Sequence, residues 1–163
     1  MKTTLFFAGI MMLAPSLGLS CRCDDVTAKE AWEKADVVFA GMVTNVKYVH
    51  TKGDKIFGEQ RIIVTIKVDG YWKGKIGRIA ILHTVYNRVS CDGFPFRKGR
   101  KNLVYATKRS ARGWLEAWGR TAPKGADMPK REWVLDTSIC SGTKFFVNDK
   151  DIRDLGPYKV PKH

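Results

Sequence analysis

The residues best suited to chemistry are four cysteines, Cys21, Cys23, Cys91 and Cys140. The first two are a single residue apart, and the others lie far downstream. An even set of cysteines in an exported chain implies two disulfides, and four cysteines allow three pairings. Histidine offers little for catalysis, because only His50 and His83 lie in the body of the chain and they are far apart in sequence. No His-x-x-x-His pair, Gly-x-Ser-x-Gly elbow or glycine-rich phosphate loop occurs. These absences lead us to expect a non-enzyme that uses no cofactor.

The other chemistry on offer is charge. The 163 residues hold 29 Lys and Arg against 16 Asp and Glu, a formal net charge of +13. Such an excess favours acidic partners. Two clusters stand out: Arg97, Lys98, Arg100 and Lys101, then Lys108, Arg109 and Arg112. They are interleaved with Phe94, Phe96, Tyr105, Trp114 and Trp118, the combination of cations and aromatic faces that a polyanion groove needs. In an exported protein this would mean acidic glycans or cell-surface polymers.

Export is read from the N-terminus. Lys2 precedes an apolar run from Leu5 to Leu13, Pro15 breaks it, and Gly18-Leu19-Ser20 supplies small residues before Cys21. We expect residues 1–20 to be a removed signal. No segment reaches the roughly 20 apolar residues that span a bilayer. Secretion, or delivery to the periplasm or cell envelope, follows. Leu17-Gly18-Leu19-Ser20-Cys21 also loosely matches a lipoprotein box, although Gly18 stands where that pattern prefers Leu. Lipidation of Cys21 would leave an odd thiol.

The elements that position these residues follow from periodicity. Asp24 and Asp25 are candidate caps for a short helix carrying Val26, Ala28, Ala31, Trp32 and Ala35 to about Asp36. Val37 to Val49 is a long β-rich run with Gly41 suited to a bulge. A turn at Thr51 to Lys55 leads to a strand from Arg61 to Val68, where Ile62, Val64, Ile66 and Val68 share one face. Gly70 to Gly74 reads as a turn, Arg78 to Thr84 as a third strand and Leu103 to Thr107 as a fourth. The fifth falls within Trp114 to Trp118 or Trp133 to Leu135, on either side of a Pro/Gly/Lys loop from Thr121 to Lys130. Asp149 to Leu155 is a closing helix, and residues 157–163 a flexible tail. The whole is mainly β: one domain over 21–156, a five-stranded OB-like Greek-key barrel with short flanking helices, monomeric.

Cys21-Arg22-Cys23 at a cleavage site resembles the opening of the tissue inhibitors of metalloproteinases and of the wider netrin-like module. So does Ala31-Trp32-Glu33-Lys34-Ala35-Asp36-Val37-Val38-Phe39-Ala40-Gly41, at the passage from helix to first strand. Val89-Ser90-Cys91-Asp92-Gly93-Phe94, Leu103-Val104-Tyr105-Ala106 and Thr137-Ser138-Ile139-Cys140 resemble later segments of that module. The likeness covers about 21–156, and its specificity lies in the positions and order of the cysteines.

The resemblance implies the pairing Cys21–Cys91 and Cys23–Cys140, a disulfide-stapled N-terminus in which each loop closure is worth about 4 kcal/mol. It implies that the α-amine and carbonyl of Cys21 chelate the catalytic zinc of a target metalloproteinase, displacing water from its open position. That zinc is the only metal implied. Arg22 would enter the specificity pocket, Cys23 would belong to the same ridge, Asp24 and Asp25 would extend it, and Val89 and Ser90 would lie beside it. The chain departs from the animal inhibitors in three ways. Arg22 replaces a small Ser or Thr, Glu33 stands where they have a cysteine, and their second, three-disulfide domain has no counterpart. The pattern is that of a short, bacterial-type relative. The alternative expectation is an extracellular or envelope module that binds polyanions or proteins without inhibiting a protease.

Overall fold

A computed structural model describes Cys23 and residues 26–49, 60–86, 93–111, 133–145 and 149–162. Chain order is α1 (Ala28–Lys34), β1 (Val37–Val49), β2 (Gln60–Lys73), β3 (Ile79–Tyr86), β4 (Lys101–Ser110), β5 (Trp133–Asp136), a 3₁₀ turn (Ile139–Ser141), β6 (Lys144–Phe145) and α2 (Asp149–Leu155). The sheet runs β1-β2-β3-β5-β4, and β4 pairs back onto β1. Five strands therefore close into a barrel of OB type, as expected, with β3 and β5 parallel and the other pairs antiparallel. Among the described residues no helix is long and apolar enough to cross a membrane.

The apolar pattern explains which strands are covered. On β2, Ile62, Val64, Ile66 and Val68 enter the core, while Lys67 and Asp69 face solvent. They meet Val37, Phe39 and Val43 of β1, Ala80 and Leu82 of β3, Val104 and Ala106 of β4, and Phe94 and Phe96 before β4. The first residues of β1 and the middle of β4 are instead buried on both faces. Their outer side chains, Val38, Leu103 and Tyr105, lie under α1 with Ala31 and Ala35, and Leu155 of α2 packs against the same cluster. A strand covered on both faces reads as a continuous apolar run, which is what residues 37–40 and 103–106 are.

β1 departs from regular pairing with β2 at three places, one of them between Ala40 and Gly41, where a bulge was expected. The cap of α1 differs from expectation. Thr27 is the N-cap: its hydroxyl accepts the Glu30 amide at 3.2 Å, and the Glu30 carboxylate accepts the Thr27 amide at 2.9 Å. This capping box holds the Glu30 carboxyl below its ordinary range. Asp24 and Asp25 lie outside the described residues. At the other end, Lys73 of β2 donates to the Trp32 carbonyl at 2.6 Å and stands over the Trp32 ring.

Two expectations near the C-terminus are corrected together. β2 does not turn at Gly70 but runs on to Lys73, and residues 157–162 do not form a loose tail. Tyr71 and Lys159 exchange backbone hydrogen bonds at 2.9 and 2.7 Å. Tyr158 packs edge-on to Trp72, whose indole donates to the Gly156 carbonyl at 2.7 Å, and Pro161 is buried. Gly70 is the residue that lets Tyr158 approach, since a Cβ there would come within 2.1 Å of Cδ2 of the tyrosine ring. Gly70→Ala should therefore cost about 1–2 kcal/mol in urea unfolding. Most of that cost should vanish in a Tyr158→Ala background, a coupling that a double-mutant cycle reads directly.

Candidate functional site

The N-terminal segment is pinned by one described bond, the disulfide from Cys23 to Cys140, which spans 117 residues of sequence. Cys140 sits in the 3₁₀ turn after β5, and the turn is held by a buried hydroxyl cluster. The Thr84 hydroxyl donates to the Thr137 carbonyl at 2.7 Å, and the Thr137 hydroxyl donates to the Tyr105 carbonyl at 2.8 Å. The Tyr105 amide donates to the Thr143 hydroxyl at 3.0 Å, and the Thr137 and Thr143 hydroxyls lie 2.6 Å apart. The Ser141 hydroxyl closes the turn onto the Ser138 carbonyl at 2.7 Å. Strand β3, strand β4 and the turn are thus tied through polar groups whose bonds are made inside the protein.

A second connection arrives from the other side. The Ile139 amide, next to Cys140, donates to the Gly93 carbonyl at 2.6 Å. Gly93 has φ +79°, and a Cβ there would overlap the Val85 carbonyl oxygen, so only glycine fits. Gly93 is two residues beyond Cys91. Cys23 and Gly93 therefore both converge on the turn at residues 139–140. A hollow of about 180 Å³ beside the disulfide is lined by Val26, Ala31, Lys34, Thr137 and Ser138.

Of the residues expected to form an inhibitory ridge, only Cys23 is described. Cys21, Arg22, Asp24, Val89 and Ser90 lie outside the described residues, as does Cys91 of the expected Cys21–Cys91 bond. The basic residues separate into two groups. Arg97, Lys98 and Arg100 are exposed on a turn that joins β1 through the Val43 backbone, and Lys101 pairs with Asp69 at 2.8 Å. Lys108 and Arg109 lie seven to eight residues along β4, roughly 23–26 Å away in extended chain. There the Lys108 ammonium stands over the Trp133 ring at 5.0 Å, and Arg109 pairs with Asp136 at 3.3 Å. Arg112 lies outside the described residues. Of the aromatics expected to interleave with these cations, Phe94, Phe96 and Tyr105 are buried in the core, and Trp114 and Trp118 lie outside the described residues.

Sequence reasoning missed the hydroxyl cluster and β6. Ser and Thr at 137, 138, 141 and 143 were legible as residues, but their role depends on a turn that only the fold creates. His83 is buried on β3, and burial pushes its pKa down. Among the described residues no group of three or more His, Cys, Asp or Glu is arranged to hold a metal ion. No family model matches this chain, and neither the curated proteins nor the solved structures searched contain a match.

Two outcomes follow from this geometry. Cys140→Ser should lower stability by about 2–4 kcal/mol in urea unfolding, since the lost bond closes a very long loop. The folded pKa of His83 lies below its unfolded value near 6.5, so the unfolded state binds more protons. Its contribution to stability is present above pH 6.5 and is lost as pH falls toward the folded value. In unfolding series between pH 7.5 and 5, His83→Gln should flatten that part of the slope.

Proposed function

We propose that this protein is a secreted inhibitor of zinc metalloproteinases, acting through a mature N-terminus at Cys21. The observation that carries the reading is the Cys23–Cys140 disulfide, one of the two bonds implied by the resemblance to the tissue inhibitors of metalloproteinases. It fixes a residue only two positions from the proposed terminus, so Cys21 is within about 7 Å of a rigid anchor. The Ile139–Gly93 hydrogen bond supports the second bond, because it brings the chain just after Cys91 to the same turn.

An anchored terminus suits chelation. A neutral α-amine and the adjacent carbonyl oxygen of Cys21 form a five-membered ring with a zinc ion that has an open position. Little ordering entropy remains to be lost when the terminus is already held. Arg22 would follow into the pocket beside the zinc. Its guanidinium is charged at any accessible pH, so the pocket must supply a carboxylate. Binding of a polyanion takes second place, because the two basic groups lie at opposite ends of β4 and Phe94, Phe96 and Tyr105 are buried.

The test compares oxidised protein beginning at Cys21 with the same protein carrying one extra alanine before it. Inhibition constants are measured across a panel of zinc metalloproteinases. The Cys21 form should inhibit at least one member, and the extended form should be weaker by roughly 100-fold or more, about 2.7 kcal/mol. Equal inhibition by both forms, or none across the panel, would sink the mechanism.

A further inference from the structure

We propose that the cleft between β3 and β5 is a docking site for an extended peptide of acidic and apolar character, received as an added strand. Among the described residues these two strands pair only at Leu82 and Leu135. Toward their N-terminal ends the barrel wall parts and leaves a cleft of about 340 Å³, within the range of ligand sites. Its lining includes Lys75, Ile76, Ile79, Ile81, His83 and Trp133.

The backbone specifies the kind of partner. Val68 of β2 donates to the Arg78 carbonyl at 2.8 Å, and the β2–β3 register continues from there. Antiparallel pairs alternate, so Ala80 and Leu82 turn their amides and carbonyls toward β2. Ile79 turns its amide and carbonyl the other way, toward the cleft, and so does Ile81, whose carbonyl is taken up by the parallel bridge of Leu82 with Leu135 and whose amide lies beyond it. A strand edge of alternating donors and acceptors is matched by another strand.

The side chains specify its composition. Ile79, Ile81 and Trp133 are 54%, 44% and 40% exposed, an apolar lining for alternate side chains of the incoming strand. Lys75 stands on one side of the cleft and Lys108 over Trp133 on the other, and no carboxylate is among the described lining residues. Acidic residues in the peptide would meet these cations. The site uses none of the residues of the inhibitory reading and holds whether or not that reading does.

The probe is a short capped peptide alternating glutamate and valine, with a lysine–valine peptide as its control, added to the oxidised full-length protein. Hydrogen exchange at the Ile79 and Ile81 amides is followed by NMR. The acidic peptide should slow exchange at both amides about tenfold or more, and the basic peptide should not. Trp133→Ala should weaken binding about tenfold. Ile81→Glu, at an exposed position that leaves the core intact, should abolish the preference for the acidic peptide. The proposal fails if the two amides are already protected in the free protein, which would mean that the chain itself covers the edge. It also fails if both peptides bind equally, if protection falls elsewhere, or if anionic phospholipid vesicles protect these amides and the peptide does not. Running the experiment on the form with the extra alanine separates its result from that of the inhibition assay.

Discussion

β1 is hydrogen-bonded along both edges over the same stretch, with residues 38–42 facing β2 on one side and residues 37–42 facing β4 on the other. This double pairing closes the barrel, and most of what surrounds it follows. Five strands cannot meet in a ring unless at least one bends sharply, and the irregularities of β1 at Val38–Phe39, Ala40–Gly41 and Val43–Asn45 supply that bend. Closure places Val37 and Phe39 inside, which leaves Val38 outside and still apolar. α1 and α2 are held on that outer surface. Among the described residues the ring then has one thin seam, the single parallel contact of β3 with β5.

The N-terminal anchor depends on the same closure. Thr137 and Thr143 can bond to the backbone of Tyr105 only because β5 and β6 flank β4 at the correct height. Cys140 is presented by a turn whose polar groups are already satisfied. The disulfide is therefore attached to a pre-formed part of the protein, and it ties Cys23 to that part.

Much of this was legible in the residues, and the exceptions have physical causes. Val37 to Val49 and Asp149 to Leu155 could be read to their ends because the first is an unbroken β-rich run that follows Asp36 and the second is a compact polar helix stopped by Gly156-Pro157. The alternation of Ile62 to Val68 gave the core face of β2. Gly70 misled because a glycine reads as punctuation, whereas here it makes room for the ring of Tyr158, 88 residues away in the sequence. The tail was misjudged for the same reason: its partner, Tyr71, is remote. The Thr27 cap was available as Thr27-Ala28-Lys29-Glu30, and two preceding aspartates drew attention from it. Of the candidate site, the cysteines were visible at once and the Cys23–Cys140 pairing came through the family resemblance. Spacing alone left three pairings open.

The 117-residue span between Cys23 and Cys140 also sets an order of events during biogenesis. A chain synthesised from its N-terminal side presents Cys23 well before Cys140. In the interval Cys23 has no native partner, although Cys91 passes it and offers a thiol. β5 and β6 arrive just as late, so the β3–β5 seam and the anchor can be completed only together. Oxidation that waits for the whole barrel gives the native bond, and oxidation that runs ahead of synthesis favours the shorter loop. Yield of correctly bonded protein is then governed by the relative timing of chain synthesis and thiol oxidation, more than by the strength of any contact in the finished fold.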